Sequence, residues 1–256
     1  WETPMPATQL EFGGALVLGI APALAFLYLS LRRFDRPHTE YTLFDDRRVF
    51  GGLAVGLIVG ALASILDTSV LALAFDFVSS LVALFALFAV DEMFKLVYLN
   101  RKGYSGRFDT TFYGVSVGVG MAATVVVGSV IWVSLPQLQA AQGTDLVIDL
   151  LLLVLFSCSL SLVHADTGAL IGFGASRGDL WSAFLRALAV RFAHGALLLA
   201  FFLGAPTAWA LLSTATSLAF AGIVYHYVYT QILPGTLPED VRREMRRERR
   251  ARPVKE

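Results

Sequence analysis

Long apolar runs, separated by short polar stretches, dominate this sequence. About twenty mostly apolar residues are needed to cross the roughly 30 Å hydrocarbon core of a bilayer. Seven runs meet that length, near residues 11–31, 48–66, 69–98, 112–134, 146–174, 181–203 and 206–232. Backbone groups in lipid must find hydrogen-bond partners within their own segment, so each run is predicted to be a helix. The fold class expected is an all-α, polytopic transmembrane helical bundle of about seven spans.

The composition makes lipid the main solvent of this chain. Hydrophobic residues make up 56% of the sequence and charged residues 16%, whereas a soluble domain usually carries about 25% charged residues. The formal net charge is zero, which argues against a basic nucleic-acid binder, and we expect no nucleic-acid partner. The partner that the composition predicts is the lipid bilayer.

Arginine and lysine occur in alternate connections between the predicted helices. Basic residues follow the first, third, fifth and seventh runs: Arg32, Arg33, Arg36, Arg47 and Arg48; Arg101, Lys102 and Arg107; Arg177; and the tail from Arg242 to Lys255. The connections at 67–69, 136–145 and 204–207 contain none. Because short cytoplasmic loops carry the excess of basic residues, we expect a multi-pass cell-membrane protein with its N-terminus outside and its C-terminus in the cytosol.

Two units are expected along the chain. Residues 1–235 would form the transmembrane bundle, and 236–256 would form a charged cytosolic tail in which Arg and Glu alternate at helical spacing. The first apolar run has no basic leader, so it is interpreted as a retained span and not a cleaved signal peptide. Glycine pairs four residues apart, Gly56 with Gly60 and Gly114 with Gly118, predict seams where helices pack closely.

The third predicted helix carries an unusual group of ionisable residues. An ionisable side chain at membrane depth is costly without a partner, so it is a functional candidate by default. Asp91 and Lys95 are four residues apart and share a helix face, which leaves a simple ion pair as one interpretation. Glu92 lies about 100° further round the helix and needs its own partner; it suits a general base that acts on water. Asp76 lies about 24 Å away along the axis and is excluded from the site.

Further polar candidates occur in the fifth and sixth predicted helices. His164 and Asp166 lie in the inner half of the fifth helix, at a depth that matches Glu92. His194 follows Arg191 by three residues in the sixth helix, so their side chains share a face. A lone histidine in a membrane helix is more often a packing residue, and that interpretation stays open for both histidines.

Several short motifs occur in a characteristic order along the chain. They are Ala21-Pro22, Asp91-Glu92-Met93-Phe94-Lys95, Tyr113-Gly114, Gly118-Val119-Gly120-Met121-Ala122, His164 with Thr167-Gly168, and the later His194. In this order they resemble the PrsW family of intramembrane proteases, within the wider group that includes the CAAX prenyl proteases. The resemblance runs from Ile20 to Ala200. It departs at Asp91, where the family has glutamate, and at Val125 and Val126, where the family has Glu-Asn.

The resemblance implies an intramembrane endopeptidase that cleaves single-span membrane proteins. In that hypothesis Glu92, helped by Asp91, activates a water, while His164 stabilises the oxyanion or donates a proton to the leaving amine, and His194 assists. Lys95, Asp166 and Arg191 would support the site.

Two alternatives remain open. Glu92, His164 and His194 are a possible zinc ligand set, since two histidines and a carboxylate leave a fourth position open, although the sequence lacks His-Glu-x-x-His. We therefore expect no cofactor, with zinc as the alternative. Because Val125 and Val126 can neither ionise nor bind metal, an inactive pseudoprotease that acts as a membrane scaffold or binds partners is the competing hypothesis.

Overall fold

The computed structural model describes residues 9–34, 42–71, 76–134, 144–203 and 206–251, and all regular structure in these ranges is helical. Seven long helices follow one another along the chain: α1 Gln9–Leu31, α2 Asp46–Leu71, α3 Phe77–Leu99, α4 Thr110–Ser129, α5 Thr144–Arg177, α6 Leu180–Leu197 and α7 Thr207–Tyr227. A tail helix, α8, spans Glu239–Ala251. π-Helical turns at Val130–Ser134 and Val228–Ile232 extend α4 and α7. The predicted all-α class is confirmed.

Five of the described helical segments are long and apolar enough to cross a membrane. They are Phe12–Leu31, Asp46–Val70, Thr110–Trp132, Asp145–Arg177 and Thr207–Thr236. These segments lie in α1, α2, α4, α5 and α7, and they are compatible with a multi-pass membrane protein. The helices α3 and α6 were also predicted to span, but they are not among the five.

The boundary between the second and third predicted helices was wrong. The connection expected at 67–69 is helical, because α2 continues to Leu71, and α3 begins only at Phe77. Asp76, which was predicted inside the third helix, lies just before α3. There its carboxylate accepts a hydrogen bond of 2.8 Å from the backbone N–H of Ser79. This side chain satisfies an N–H that has no partner within the helix, which fixes the helix start.

The helix α4 lies at the centre of the bundle and packs against α1, α2 and α5. Both predicted glycine seams are confirmed. Gly56 lies against the carbonyl oxygen of Val117, and Gly118 lies against the carbonyl oxygen of His164, so closely that an added Cβ would overlap either oxygen. Without side chains at these positions, the backbones of α2, α4 and α5 approach one another directly.

The tail helix α8 contacts the bundle through one face. Val241 is buried, and Met245, one turn later, packs against the main apolar core. Arg243 and Glu239 lie on the exposed side of α8 and form an ion pair with an N–O distance of 2.7 Å. The tail was expected to be a charged helix, and the described part of it is helical.

The Gly118 seam yields a prediction about stability. Gly118→Ala would push a Cβ into the backbone carbonyl of His164, so we expect a loss of about 1–3 kcal/mol of unfolding free energy, and Gly118→Leu should prevent folding. Gly51→Ala is the matched control, because nothing lies within 4 Å of the Cβ it would add. Thermal unfolding in detergent, followed by circular dichroism, measures the difference. Equal melting temperatures for Gly118→Ala and Gly51→Ala would contradict the seam.

The cap of α3 yields a prediction about pH. The backbone N–H of Ser79 donates to the Asp76 carboxylate and lowers the pKa of that carboxyl. A lowered folded-state pKa stabilises the cap above the ordinary aspartate value of about 4, and the stabilisation is lost as the pH falls through the folded value. Amide exchange in the first turn of α3, corrected for intrinsic rates, should therefore accelerate below about pH 4. Asp76→Asn keeps an accepting oxygen and should lack this pH step, whereas Asp76→Ala should exchange faster at every pH.

Candidate functional site

Three helices bring the predicted site residues into the interior of the bundle. Asp91, Glu92 and Lys95 come from α3, His164 and Asp166 from α5, and Arg191 and His194 from α6. All seven side chains are buried, and Glu92, Lys95 and both histidines have no exposed surface. An ionisable group this far from water needs partners, so the contacts that each group makes define what the site can do.

Lys95 joins α3 to α5. Its Nζ donates to Oε1 of Glu92 at 2.7 Å and to Oγ1 of Thr167 at 2.7 Å. The interpretation that paired Lys95 with Asp91 was wrong, because residues three apart also share a helix face and Glu92 occupies that position. The second carboxylate oxygen of Glu92, Oε2, has no hydrogen-bond partner among the described residues. Glu92 is thus held by one oxygen and keeps the other available.

Asp91 faces α6. The shortest distance between its carboxylate and the guanidinium of Arg191 is 4.0 Å. The Arg191 guanidinium also lies 4.2 Å from the centre of the Phe88 ring, an arrangement typical of a cation–π contact. Asp67, near the end of α2, lies within electrostatic range of both Asp91 and Arg191. Asp67 was predicted to lie in the connection at 67–69 and was not predicted as a site residue, but it lies inside α2.

The two histidines have different surroundings. Both ring nitrogens of His164 are buried with no hydrogen-bond partner in the described part of the chain. Lys95, Arg191 and His194 lie within electrostatic range of His164. Lys95 thus acts on His164, whereas Arg191 lies within electrostatic range of both histidines.

His194 is engaged by hydroxyl groups. Its Nε2 lies 2.6 Å from Oγ of Ser159 on α5, and Ser159 lies 3.0 Å from Oγ of Ser217 on α7. Neither serine was predicted as a site residue. The sequence does mark Ser159 as unusual, because Ser157, Ser159 and Ser161 interrupt an otherwise apolar run.

Asp166 lies apart from this cluster. Asp166 is two residues from His164, about 200° round the helix. Its carboxylate lies within electrostatic range of the Tyr225 hydroxyl on α7. Neither of its oxygens has a hydrogen-bond partner within the described ranges. Asp166 was predicted to support the site of Glu92 and the two histidines, but the neighbour it affects in the structure is Tyr225.

A metal centre needs several ligand side chains gathered at one point. Among the described residues, no three His, Cys, Asp or Glu side chains form a group that could hold a metal ion. Glu92, His164 and His194, the residues predicted as the alternative zinc ligands, are not grouped in that way in this arrangement.

Comparison with protein-family models, with curated proteins and with solved structures gives no match to this chain. The fold and site define a class, an all-helical bundle with five candidate membrane spans and a buried carboxylate, lysine and histidine cluster. The resemblance to the PrsW family stays a prediction that depends on the motifs alone.

The Glu92–Lys95 pair predicts a large energetic effect. Removing one partner of a buried ion pair leaves an uncompensated charge, so Lys95→Met should cost about 3–5 kcal/mol of unfolding free energy. The double variant Glu92→Leu/Lys95→Met should lose less than the two single losses added together. Glu92→Gln retains a carbonyl oxygen that accepts from Lys95, and it should stay folded. Unfolding in detergent by added denaturant measures these differences.

The pair formed by Arg243 and Glu239 is the matched control. Its N–O distance is the same, 2.7 Å, but both side chains are 65% exposed, whereas those of Lys95 and Glu92 are 0% exposed. Arg243→Met should therefore cost under about 1 kcal/mol. Losses of similar size from Lys95→Met and Arg243→Met would contradict the role given to burial.

Proposed function

We propose that this protein is an intramembrane endopeptidase in which Glu92 activates a water to cleave membrane-protein substrates. The observation that carries the proposal is the state of Glu92. The side chain is fully buried, Oε1 is held by Lys95 at 2.7 Å, and Oε2 has no described partner. A carboxylate that is fixed in place and has one oxygen available is arranged as a general base should be.

The proposed reaction assigns a role to each neighbour. Oε2 of Glu92 takes a proton from a water, and the resulting hydroxide adds to the carbonyl carbon of the scissile peptide bond. His164 and the positive charge of Lys95 stabilise the oxyanion that forms, because preorganised charge is most effective where water is excluded. The proton held by Glu92 then passes to the leaving amine, directly or through His164, and the peptide C–N bond breaks.

Asp91 and Arg191 support this centre in the proposal. Asp91 is next to Glu92 on α3, and Arg191 lies one turn before His194 on α6. The ion pair fixes the rotation of α3 relative to α6, and the contact of Arg191 with Phe88 strengthens the same interface. Misplacement of a base by about 1 Å can cost two orders of magnitude in rate, so this interface would matter for activity without touching a substrate.

We further infer that α3 and α6 cross the membrane with the other five helices. On α3, Val78 and Val97 expose 67% and 65% of their surface, although nineteen positions separate them, so an apolar exposed face extends along the helix. On α6, Trp181 and Leu185 are similarly exposed. Lipid is the solvent that such faces require. With seven spans, the distribution of basic residues supports an outside N-terminus, a cytosolic C-terminus and a cell-membrane location.

A second candidate function is favoured by two observations. Lys95 occupies Oε1 of Glu92, and the α4 positions that correspond to the family's Glu-Asn are the valines Val125 and Val126, which are buried in an apolar cluster. A chain with this arrangement can act as a scaffold that binds single-span partners without cleaving them.

Cleavage assays separate the two functions. Purified wild type, Glu92→Gln and the exposed control Glu239→Gln are incubated with a library of single-span membrane proteins in lipid, with and without chelator, and products are identified by mass spectrometry. Loss of a general base costs roughly 10²–10⁴-fold in rate, so we expect wild type and Glu239→Gln to cleave and Glu92→Gln to be at least 100-fold slower. Resistance to chelator is the expected result.

The other outcomes are equally specific. Sensitivity to chelator would move the mechanism to a metal ion. Absence of cleavage by all three proteins, with partner binding retained in all three, would overturn the peptidase proposal and establish the scaffold.

A further inference from the structure

Ser159 and His194 form a contact that the peptidase proposal does not use. The two residues lie thirty-five positions apart in the sequence, on α5 and α6, yet Oγ of Ser159 lies 2.6 Å from Nε2 of His194. Both side chains have no exposed surface. A hydroxyl within about 2.6–3.2 Å of an imidazole nitrogen is the geometric signature of a nucleophile activated by a base.

The hydrogen bonds around Ser159 allow its hydroxyl to donate to His194. Ser217 lies 3.0 Å from Ser159 and 2.9 Å from the carbonyl oxygen of Thr214. If the Ser217 proton turns towards Ser159, the Ser159 proton is directed to Nε2 of His194, and Nε2 acts as the acceptor. If Ser217 instead donates to the Thr214 carbonyl, Ser159 donates to Ser217, and Nε2–H of His194 donates to Ser159. Ser159 therefore changes from a resting to an activated state when the Ser217 hydroxyl turns and the His194 proton moves from Nε2 to Nδ1, a nitrogen that has no described hydrogen-bond partner.

The surroundings of the pair favour an apolar substrate. Phe156 and Leu160 on α5 and Leu198, just after α6, belong to one buried apolar cluster. Arg191, one turn before His194 on the same helix, places a positive charge within electrostatic range of the His194 ring. The buried apolar side chains favour an apolar acyl compound, and the Arg191 charge acts at the histidine of the pair.

We propose that Ser159 and His194 are a nucleophile and base pair, a second reactive centre that takes apolar acyl compounds such as esters. Oγ of Ser159 adds to the acyl carbon while its proton moves to Nε2 of His194. The bond from the acyl carbon to the leaving group then breaks, and His194 returns the proton to the leaving group. Water, deprotonated by the same histidine, releases the acid and restores the hydroxyl of Ser159. The proposal does not depend on Glu92.

A covalent probe tests this directly. Diisopropyl fluorophosphate is small and apolar, so it partitions into lipid, and it marks an activated serine by forming an Oγ–P bond with loss of fluoride. The full chain, purified in lipid, is treated and digested, and the adduct is located by mass spectrometry. We expect the adduct on Ser159. In His194→Gln its rate of formation should fall by about 100-fold or more, the range for loss of a general base.

Three variants complete the experiment. Ser159→Ala should remove the adduct, whereas Ser161→Ala, which changes another fully buried serine on α5, should leave it in place. Glu239→Gln, at a position that is 65% exposed, should be labelled at the wild-type rate. Labelling of Ser159 requires no cleavage of a membrane protein, so failure of the Glu92 proposal and failure of this one can be told apart. Absence of an adduct on Ser159 in the wild type, or undiminished labelling in His194→Gln, would overturn the pair and leave Ser159 as a hydrogen-bond partner that orients His194.

Discussion

Lys95 is the interaction on which the centre of this protein depends. A lysine ammonium with no exposure to water is stable only if anions or hydroxyls replace its hydration, and the structure supplies Glu92 from α3 and Thr167 from α5. The same contacts fix the depth of α3 relative to α5. Next to Glu92 on α3, Asp91 lies 4.0 Å from Arg191 of α6, and the second carboxylate oxygen of Glu92 has no described hydrogen-bond partner. The cost of burying a charge thus determines how three helices are placed.

The glycines of α4 determine how closely α2 and α5 can pack against it. Gly114 faces the backbone of Gly168, and Gly118 faces that of His164, so α4 and α5 meet without intervening side chains. This close approach anchors the stretch of α5 that carries His164 and Thr167. Gly56 and Gly60 place α2 against the other side of α4 in the same way. In a membrane, where lipid leaves no hydrophobic driving force between helices, close packing of small residues is one of the interactions that hold helices together.

The two proposed centres lie at different depths of one bundle, because Ser159 precedes Thr167 by eight residues on α5, about 12 Å along the helix axis. Glu92, Lys95 and Thr167 occupy the interface of α3 with α5. Ser159 and His194 occupy the interface of α5 with α6, where Ser217 of α7 joins them. The charge of Arg191 acts at both places, since it lies near Asp91 and within range of both histidines. A change at Arg191 would therefore affect both proposed centres.

The sequence by itself determined the helical class, the choice of ionisable residues and the glycine seams. Each of these depends on local properties, namely the length of an apolar run, the cost of a charge in lipid and the absence of a Cβ at two positions one turn apart. Tertiary structure alone decided which groups meet. On α3, the spacing allows Lys95 to pair with either Asp91 or Glu92. In the folded protein Arg191 approaches Asp91 from α6, and Lys95 pairs with Glu92. Three serines mark this stretch of α5 in the sequence, but which of them meets His194 depends on how α5 and α6 are rotated against each other.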